Sequence, residues 1–212
     1  MEGRKNNFFV QAWLVLVLAM FYGAALAGVH MKFSPKIEEN KLNETRQRVP
    51  ELVLGEQSAA AGQSLTSEQT FIAVEQGGGR SVSYSVFKAL EADVVKGWVA
   101  KVSGQGYADK IELLVGLSPE ADRITGLFVL DQKETPGLGA KIVERGWRGQ
   151  FVGKNTAQAL TAVKNGADEG HEIDAVTGAT ISSKTVCAII NKTVSDLKTP
   201  LIEQLAAGRS AQ

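Results

Sequence analysis

From Phe8 to Met31 the chain reads FFVQAWLVLVLAMFYGAALAGVHM, 24 residues without Asp, Glu, Lys or Arg. A helix of this length rises about 1.5 Å per residue, enough to cross a hydrocarbon core of roughly 30 Å with some tilt. A cleaved signal peptide is the rival reading, because Arg4 and Lys5 precede the run and Ala25-Leu26-Ala27 resembles an Ala-x-Ala cleavage site. The run is longer than a usual signal core, which favours a retained anchor. Charge does not set its orientation: Arg4 and Lys5 on one side face Lys32, Lys36 and Lys41 on the other.

The remainder of the 212 residues suffices for one good-sized domain, not two large ones. Lys+Arg and Asp+Glu both number 23, so there is no basic excess of the kind nucleic acid requires, and no nucleic-acid partner is expected. His30, His171 and Cys187 are too scattered to form a metal-ligand set, and a lone cysteine cannot form an intramolecular disulfide. The expected organisation is a short tail (1–7), a transmembrane helix (8–31), a polar juxtamembrane helix and linker (32–69), a folded domain (70–200) and a C-terminal tail (201–212). In the juxtamembrane helix Leu42, Val49, Leu52 and Val53 fall on one stripe, and Pro50 predicts a break or kink. GEQSAAAGQSLTSEQ and EQGGGRS read as loops.

Beyond them the apolar pattern takes period two. Val82, Tyr84 and Val86 alternate, as do Ile111, Leu113 and Val115; Ile124 and Leu127 to Leu130 follow less strictly. The spacing of Ala157, Leu160 and Val163 predicts a helix over about 155–165. Val186, Ile190, Val194 and Leu197 predict a last helix over about 181–197 with one buried face. The fold class is α+β, a single N-terminal transmembrane helix followed by one mixed α/β domain.

Two stretches carry chemistry. Asp174 to Ser183 read DAVTGATISS just before the last helix. As a purely structural feature this is a turn at Gly178 with Thr180, Ser182 or Ser183 as N-cap. The same place also suits a phosphate, since free N–H groups and the positive end of the helix dipole favour an anion. Gly178 and Ala179 let a bulky group approach the backbone, and Thr180 offers a hydroxyl for a phosphoester. The second stretch, Glu134 to Gly139, reads ETPGLG after a strand. A Pro-Gly turn explains Pro136 and Gly137 but not the flanking Thr135 and Leu138.

Together these stretches resemble the FMN-binding domains that a dedicated transferase flavinylates. Asp174 to Thr180 fit that family's Asp-x-x-(Ser/Thr)-Gly-Ala-Thr pattern, and the resemblance implies FMN joined to Thr180 by a phosphoester. It also makes Asp174, Thr177, Gly178 and Ala179 cofactor-binding candidates, with Thr177 in reach of the flavin or the phosphate, and sets Glu134, Thr135, Gly137, Leu138 and Gly139 along the flavin, with Thr135 and Leu138 near its ring. A third stretch, GQGYADKIELLVGL, departs from the family's Gly-Tyr-Gly-Gly at Ala108 and Asp109, so Gly106 and Tyr107 are expected only to turn and pack. With one N-terminal span, the chain is most similar to the G subunits of Rnf-type complexes, which are related to the C subunits of sodium-pumping NADH:quinone reductases.

The resemblance implies an electron-carrying subunit of an ion-translocating oxidoreductase, without independent catalysis and without catalytic or metal-binding residues of its own. Implied partners are the other membrane subunits and a flavin transferase for maturation. The implied location is the bacterial cytoplasmic membrane, with the FMN domain on the periplasmic side. The alternatives are a quinone-reductase C-type subunit or another flavinylated extracytoplasmic carrier, and, from a different class, an anchored binding domain whose TGAT is only a cap. Cys187 is expected to be a buried structural thiol, Trp147 a packing residue and Lys141 solvent-facing.

Overall fold

The computed structural model describes residues 8–55, 65–167 and 170–210. The expected N-terminal tail (1–7) and the linker residues 56–64 lie outside them. The chain separates into two compact units, Met1–Glu44 and Thr45–Gln212. In the first, helix α1 (Phe8–Leu54) carries the apolar run, and among the described residues it is the one helix long and apolar enough to cross a membrane. Trp13, Met20, Leu26 and Met31 stand exposed on it, as lipid-facing residues would. No break occurs at Pro50, contrary to expectation. The helix runs on to Leu54, so the amide that proline lacks costs the helix a bond only in its last turns.

The second unit is built on a five-stranded antiparallel meander of β1 (Thr66–Gln76), β2 (Arg80–Glu91), β3 (Val94–Gln105), β4 (Lys110–Leu117) and β5 (Ile124–Asp131), in sequential order. A short 3₁₀ turn (Gly139–Val143) and helix α2 (Arg145–Gly149) follow. Strands β6 (Thr161–Val163) and β7 (Glu172–Asp174) then pair in parallel, and α3 (Thr180–Ser210) closes the domain.

Strand alternation sends Tyr84, Val86, Trp98, Ala100, Val102, Ile111, Leu113 and Val115 into one core with Val186, Ile190, Val194 and Leu197 of α3. The opposite face is also covered. Phe87, Val99 and Leu114 are buried there, and the last turns of α1 bring Val49, Leu52 and Val53. Glycines make room for that helix end. A Cβ on Gly97 would lie 2.8 Å from a Val53 methyl, and one on Gly116 or Gly126 would lie 2.4 or 2.8 Å from the Leu52 carbonyl oxygen. Gly116 and Gly126 face each other across β4 and β5, and the Thr125 hydroxyl donates to the same carbonyl at 2.7 Å. Arg48 completes the contact over the Phe128 ring, 4.4 Å from its centroid.

Several expectations need correction. Residues 66–69, read as loop, begin β1, and the juxtamembrane stripe from Thr45 onward packs as part of the domain. The helix expected over 155–165 is absent: an irregular stretch leads into β6, whose pairing with β7 overrides the helical spacing of Ala157, Leu160 and Val163. The last helix extends through Pro200 to Ser210 with Leu201 and Leu205 buried, so 201–210 are helix rather than tail.

One polar cluster ties α3 to the first hairpin. The Asp196 carboxylate accepts from the Tyr84 hydroxyl, from Gln76 Nε2 at 2.8 Å and from Lys192 Nζ at 2.9 Å. Burial pushes the Asp196 carboxyl upward, but these donors outweigh it and hold it below the ordinary carboxylate value. Burial, then the Asp196 carboxylate, raises the Tyr84 phenol above its usual value.

Two outcomes follow in thermal unfolding of the full chain in detergent. Gly116→Val should lose about 1–3 kcal/mol by overpacking against Leu52, whereas Gly146→Ala, with nothing within 4 Å of the new Cβ, should lose nothing. Tyr84→Phe should cost about 1 kcal/mol near pH 7. Because the folded Asp196 value is depressed, this stabilisation exists above the unfolded value of about 3.9 and fades as pH falls through the folded one. The gap between wild type and Tyr84→Phe should therefore close in acid; a gap that is constant with pH would contradict the assignment.

Candidate functional site

The two chemistry-bearing stretches are 40 residues apart and meet at the N-terminus of α3. Gly178 has φ +79°, a conformation that L side chains rarely adopt, and the space a Cβ would need is filled by Leu138, whose Cδ2 lies 2.8 Å from that point. Gly178 is thus glycine for two reasons: the turn demands positive φ, and the ETPGLG loop sits on it. Gly137, at φ +74°, makes the corresponding turn inside that loop. The loop closes on itself through backbone bonds from Leu138 and Ala140 to the Thr135 carbonyl, both 3.1 Å.

A second contact is polar. Glu134 is 4% exposed, and its carboxylate accepts from the Ser182 hydroxyl at 2.5 Å and from the Ala108 amide at 3.1 Å. Gly139 is packed against both partners: a Cβ there would lie 2.8 Å from Glu134 Oε2 and 2.8 Å from Ser182 Oγ. Thr135, Pro136, Gly137 and Leu138 lie exposed on the outer side of this junction, as do Thr177 and Gly178.

Helix α3 begins at Thr180, which is half-buried. Ser182 and Ser183 therefore lie within its first turn and do not precede it as caps. The Ser183 hydroxyl reaches back to accept from the Val176 amide at 3.0 Å and donates to the Ala179 carbonyl at 3.1 Å, which pins the turn. The first intrahelical bond runs from the Ser183 amide to the Ala179 carbonyl at 3.1 Å. The amides of Thr180, Ile181 and Ser182 precede it and have no carbonyl one turn back to reach, so they suit an anion. Ala175, Val176 and Ala179 are buried beneath the turn.

Asp174 supports the turn from behind. Its carboxylate accepts from the Ala167 amide at 3.0 Å, and its backbone carbonyl accepts from Trp147 Nε1 at 2.8 Å. Gln150 Oε1 accepts from the Asp174 amide at 2.8 Å. Trp147 is thus a buried packing residue, edge-on to Phe151 with ring centroids 5.1 Å apart. Cys187 is buried on α3, and burial pushes its thiol up to about 12, so no thiolate forms near neutral pH. Lys141 is exposed, as expected.

All the residues singled out in the two motifs therefore gather at this junction or directly support it. Sequence reasoning missed Ser182 as a bridging residue. Gly106 turns and packs as expected, its amide donating to the Asp109 carbonyl at 2.8 Å, but the group it packs against is the Glu134 carboxylate, 2.3 Å from where a Cβ would lie; Tyr107, expected to pack, is 66% exposed. Nothing in the spacing of residues 106–109 signals this, because the contact is formed only when β3 and β4 fold beside the ETPGLG loop.

The arrangement fits FMN: a half-buried threonine hydroxyl at a helix N-terminus, the exposed Gly178 close by, and an exposed aliphatic side chain, Leu138, seated on that glycine. Residues 106–195 match the FMN-binding domain family. The G subunit of the Na(+)-translocating ferredoxin:NAD(+) oxidoreductase complex of Acetobacterium woodii is 42% identical over 90 residues, 42% of either chain. The G subunit of the ion-translocating oxidoreductase complex of Methanosarcina acetivorans is 29% identical over 182 residues, 85% of this chain and 91% of its own. Among solved structures, NqrC of Shewanella oneidensis superposes with a TM-score of 0.52 at 25% identity, over 67% of this chain and 70% of its own. The chain spans 42%, 60% and 49% of the lengths of three curated G and C subunits that it matches. Residues 106–195 are thus similar to the FMN-binding domain family, and the chain shares this similarity with the G and C subunits of ion-translocating oxidoreductases.

Proposed function

We propose that the chain is a membrane-anchored electron-transfer subunit that carries one FMN bonded to Thr180 and relays electrons within an ion-translocating ferredoxin:NAD oxidoreductase. The observation that carries this reading is the seat of Leu138 on Gly178, which joins the ETPGLG loop to the TGAT turn. Attachment would join Thr180 Oγ to the FMN phosphorus as a P–O bond to the leaving group breaks and that group departs with the hydroxyl proton, one FMN less one water being added overall and a phosphodiester left. Its negative charge would lie at the positive end of α3, a placement worth roughly 0.3–1 kcal/mol. Gly178 and Ala179 present no side chain large enough to exclude the phosphate, and Thr177, exposed three residues earlier, would hydrogen-bond the flavin or the phosphate. Leu138 and Thr135 would border the ring, with Gly137 and Gly139 shaping the loop that holds them. Asp174 and Glu134 hold the two loops from beneath. Bound FMN supplies one- and two-electron transfer, and the chain supplies position and surroundings.

The exposed apolar helix supports anchoring in a membrane; the resemblance implies the bacterial cytoplasmic membrane, with the domain and its FMN on the periplasmic side. Other subunits of the complex would deliver and accept the electrons, a flavin transferase would load the cofactor, and the chain alone would catalyse nothing. The likeness to NqrC favours a second reading, a C-type subunit of a sodium-pumping NADH:quinone reductase. Both share the Thr180 chemistry, and the membrane subunits that co-purify separate them.

The first test is a denaturing gel of the full chain from a host with the transferase, scanned for flavin fluorescence, with an intact mass alongside. The expected species is fluorescent and heavier by one FMN less one water. Thr180→Ala should be dark, unmodified in mass and still folded by circular dichroism; a fluorescent variant would rule out Thr180. Leu138→Asp should retain covalent flavin but change its midpoint potential or its quenching by iodide. Identical titration and quenching curves would remove Leu138 from the ring.

A further inference from the structure

We propose that Glu134 is a positioning residue, whose carboxylate holds the ETPGLG loop and the first turn of α3 in one register so that Leu138 and Thr180 face the same flavin. Burying a carboxylate is costly unless its oxygens are bonded. Glu134 is 4% exposed, and each oxygen has a donor from a different element: Ser182 Oγ on α3 for one, the Ala108 amide in the β3–β4 turn for the other. The chain leaves room for this carboxylate twice. A Cβ on Gly106 would stand 2.3 Å from Oε1, and one on Gly139 would stand 2.8 Å from Oε2.

Three segments distant in sequence are therefore built around one side chain. Ser182 lies two residues beyond Thr180, so its bond to Glu134 fixes the rotation of the first helical turn about its axis. Leu138 lies four residues beyond Glu134, in a loop that the neighbouring Gly139 packs against the same carboxylate. An aliphatic side chain could fill the volume, but it would direct neither segment, whereas a buried hydrogen-bonding group can fix a register.

The proposal rests on the flavin assignment only for what the register serves, and the test separates the two. Glu134→Gln keeps both links, since its Oε1 can accept from Ala108 while its Nε2 donates to the Ser182 hydroxyl. Glu134→Ala breaks both, and Glu134→Asp falls one methylene short. Hydrogen exchange is measured first on the full chain from a host lacking the transferase. In the Ala and Asp variants, the bonded amides of Leu138 and Ala140 in the loop and of Ser183 in the first turn of α3 should exchange together at least about tenfold faster, while 186–197 and the Gln variant stay within about twofold of wild type.

In the loaded chain, the visible circular dichroism of the flavin should change and iodide quenching should rise about twofold in Ala and Asp but not in Gln. Unchanged exchange in either segment of Glu134→Ala, equal acceleration over 186–197, or a Gln variant that matches Ala would each overturn the proposal. A wild-type chain that takes up no flavin would instead remove the proposed function, while the exchange data still decide the role of Glu134.

Discussion

The burial of one face of α3 sets the position of everything at the site. Val186, Ile190, Val194, Leu197, Leu201 and Leu205 are all nearly inaccessible to solvent, and burying such a side chain contributes up to about 1.5–3 kcal/mol. The helix also sinks into the sheet at Gly104, where a Cβ would lie 2.6 Å from Ile189. A helix held along so much of its length has little freedom left at its start, and the bond from Ser182 to Glu134 takes up what remains. The loop leading to Thr180 then needs only to be pinned, which Ser183 does by reaching back to Val176.

The same device serves both faces of the domain. On one face Gly97, Gly116 and Gly126 open a slot for the end of α1; on the other Gly106, Gly139 and Gly178 open one for Glu134 and Leu138. In each case a side chain or carbonyl from a remote segment occupies the volume a Cβ would take. Such contacts fix the distance between segments more tightly than interdigitated side chains, because backbone cannot shift to another rotamer. Gly77, Gly78 and Gly79, by contrast, have nothing near them and only turn the chain between β1 and β2.

How much of this was legible follows from the range of each interaction. The membrane helix and α3 were, because a long uncharged run and a 3.6-residue stripe are local records of their surroundings. Strand β3 was not: Trp98, Val99 and Ala100 are all buried because both sheet faces are covered, which erases the alternation. Its hairpin with β2 turns through Ala92 and Asp93, both at positive φ, without the Asn-Gly or Asp-Gly signature. β1 was hidden for the opposite reason, since only Ile72 along its length is buried. At the site, each motif could be read singly. The junction could not, because the bond from Ser182 to Glu134 and the seat of Leu138 on Gly178 exist only once α3 has docked.

The exposure of this junction bears on why attachment there would be covalent. Leu138 is 44% exposed, Val143 42% and Ile181 56%, so a ring lying beside them would remain close to the surface. Such a position suits electron exchange with a neighbouring protein but buries little of the cofactor, and affinity from burial scales with what is buried. A noncovalent flavin on so open a surface would be held weakly and lost wherever free flavin is dilute. A phosphoester at Thr180 removes that dependence: occupancy no longer varies with flavin concentration, and the protein need not enclose the ring to keep it. The small, shallow loop built from ETPGLG would then suffice, because holding the cofactor and exposing it would fall to different groups.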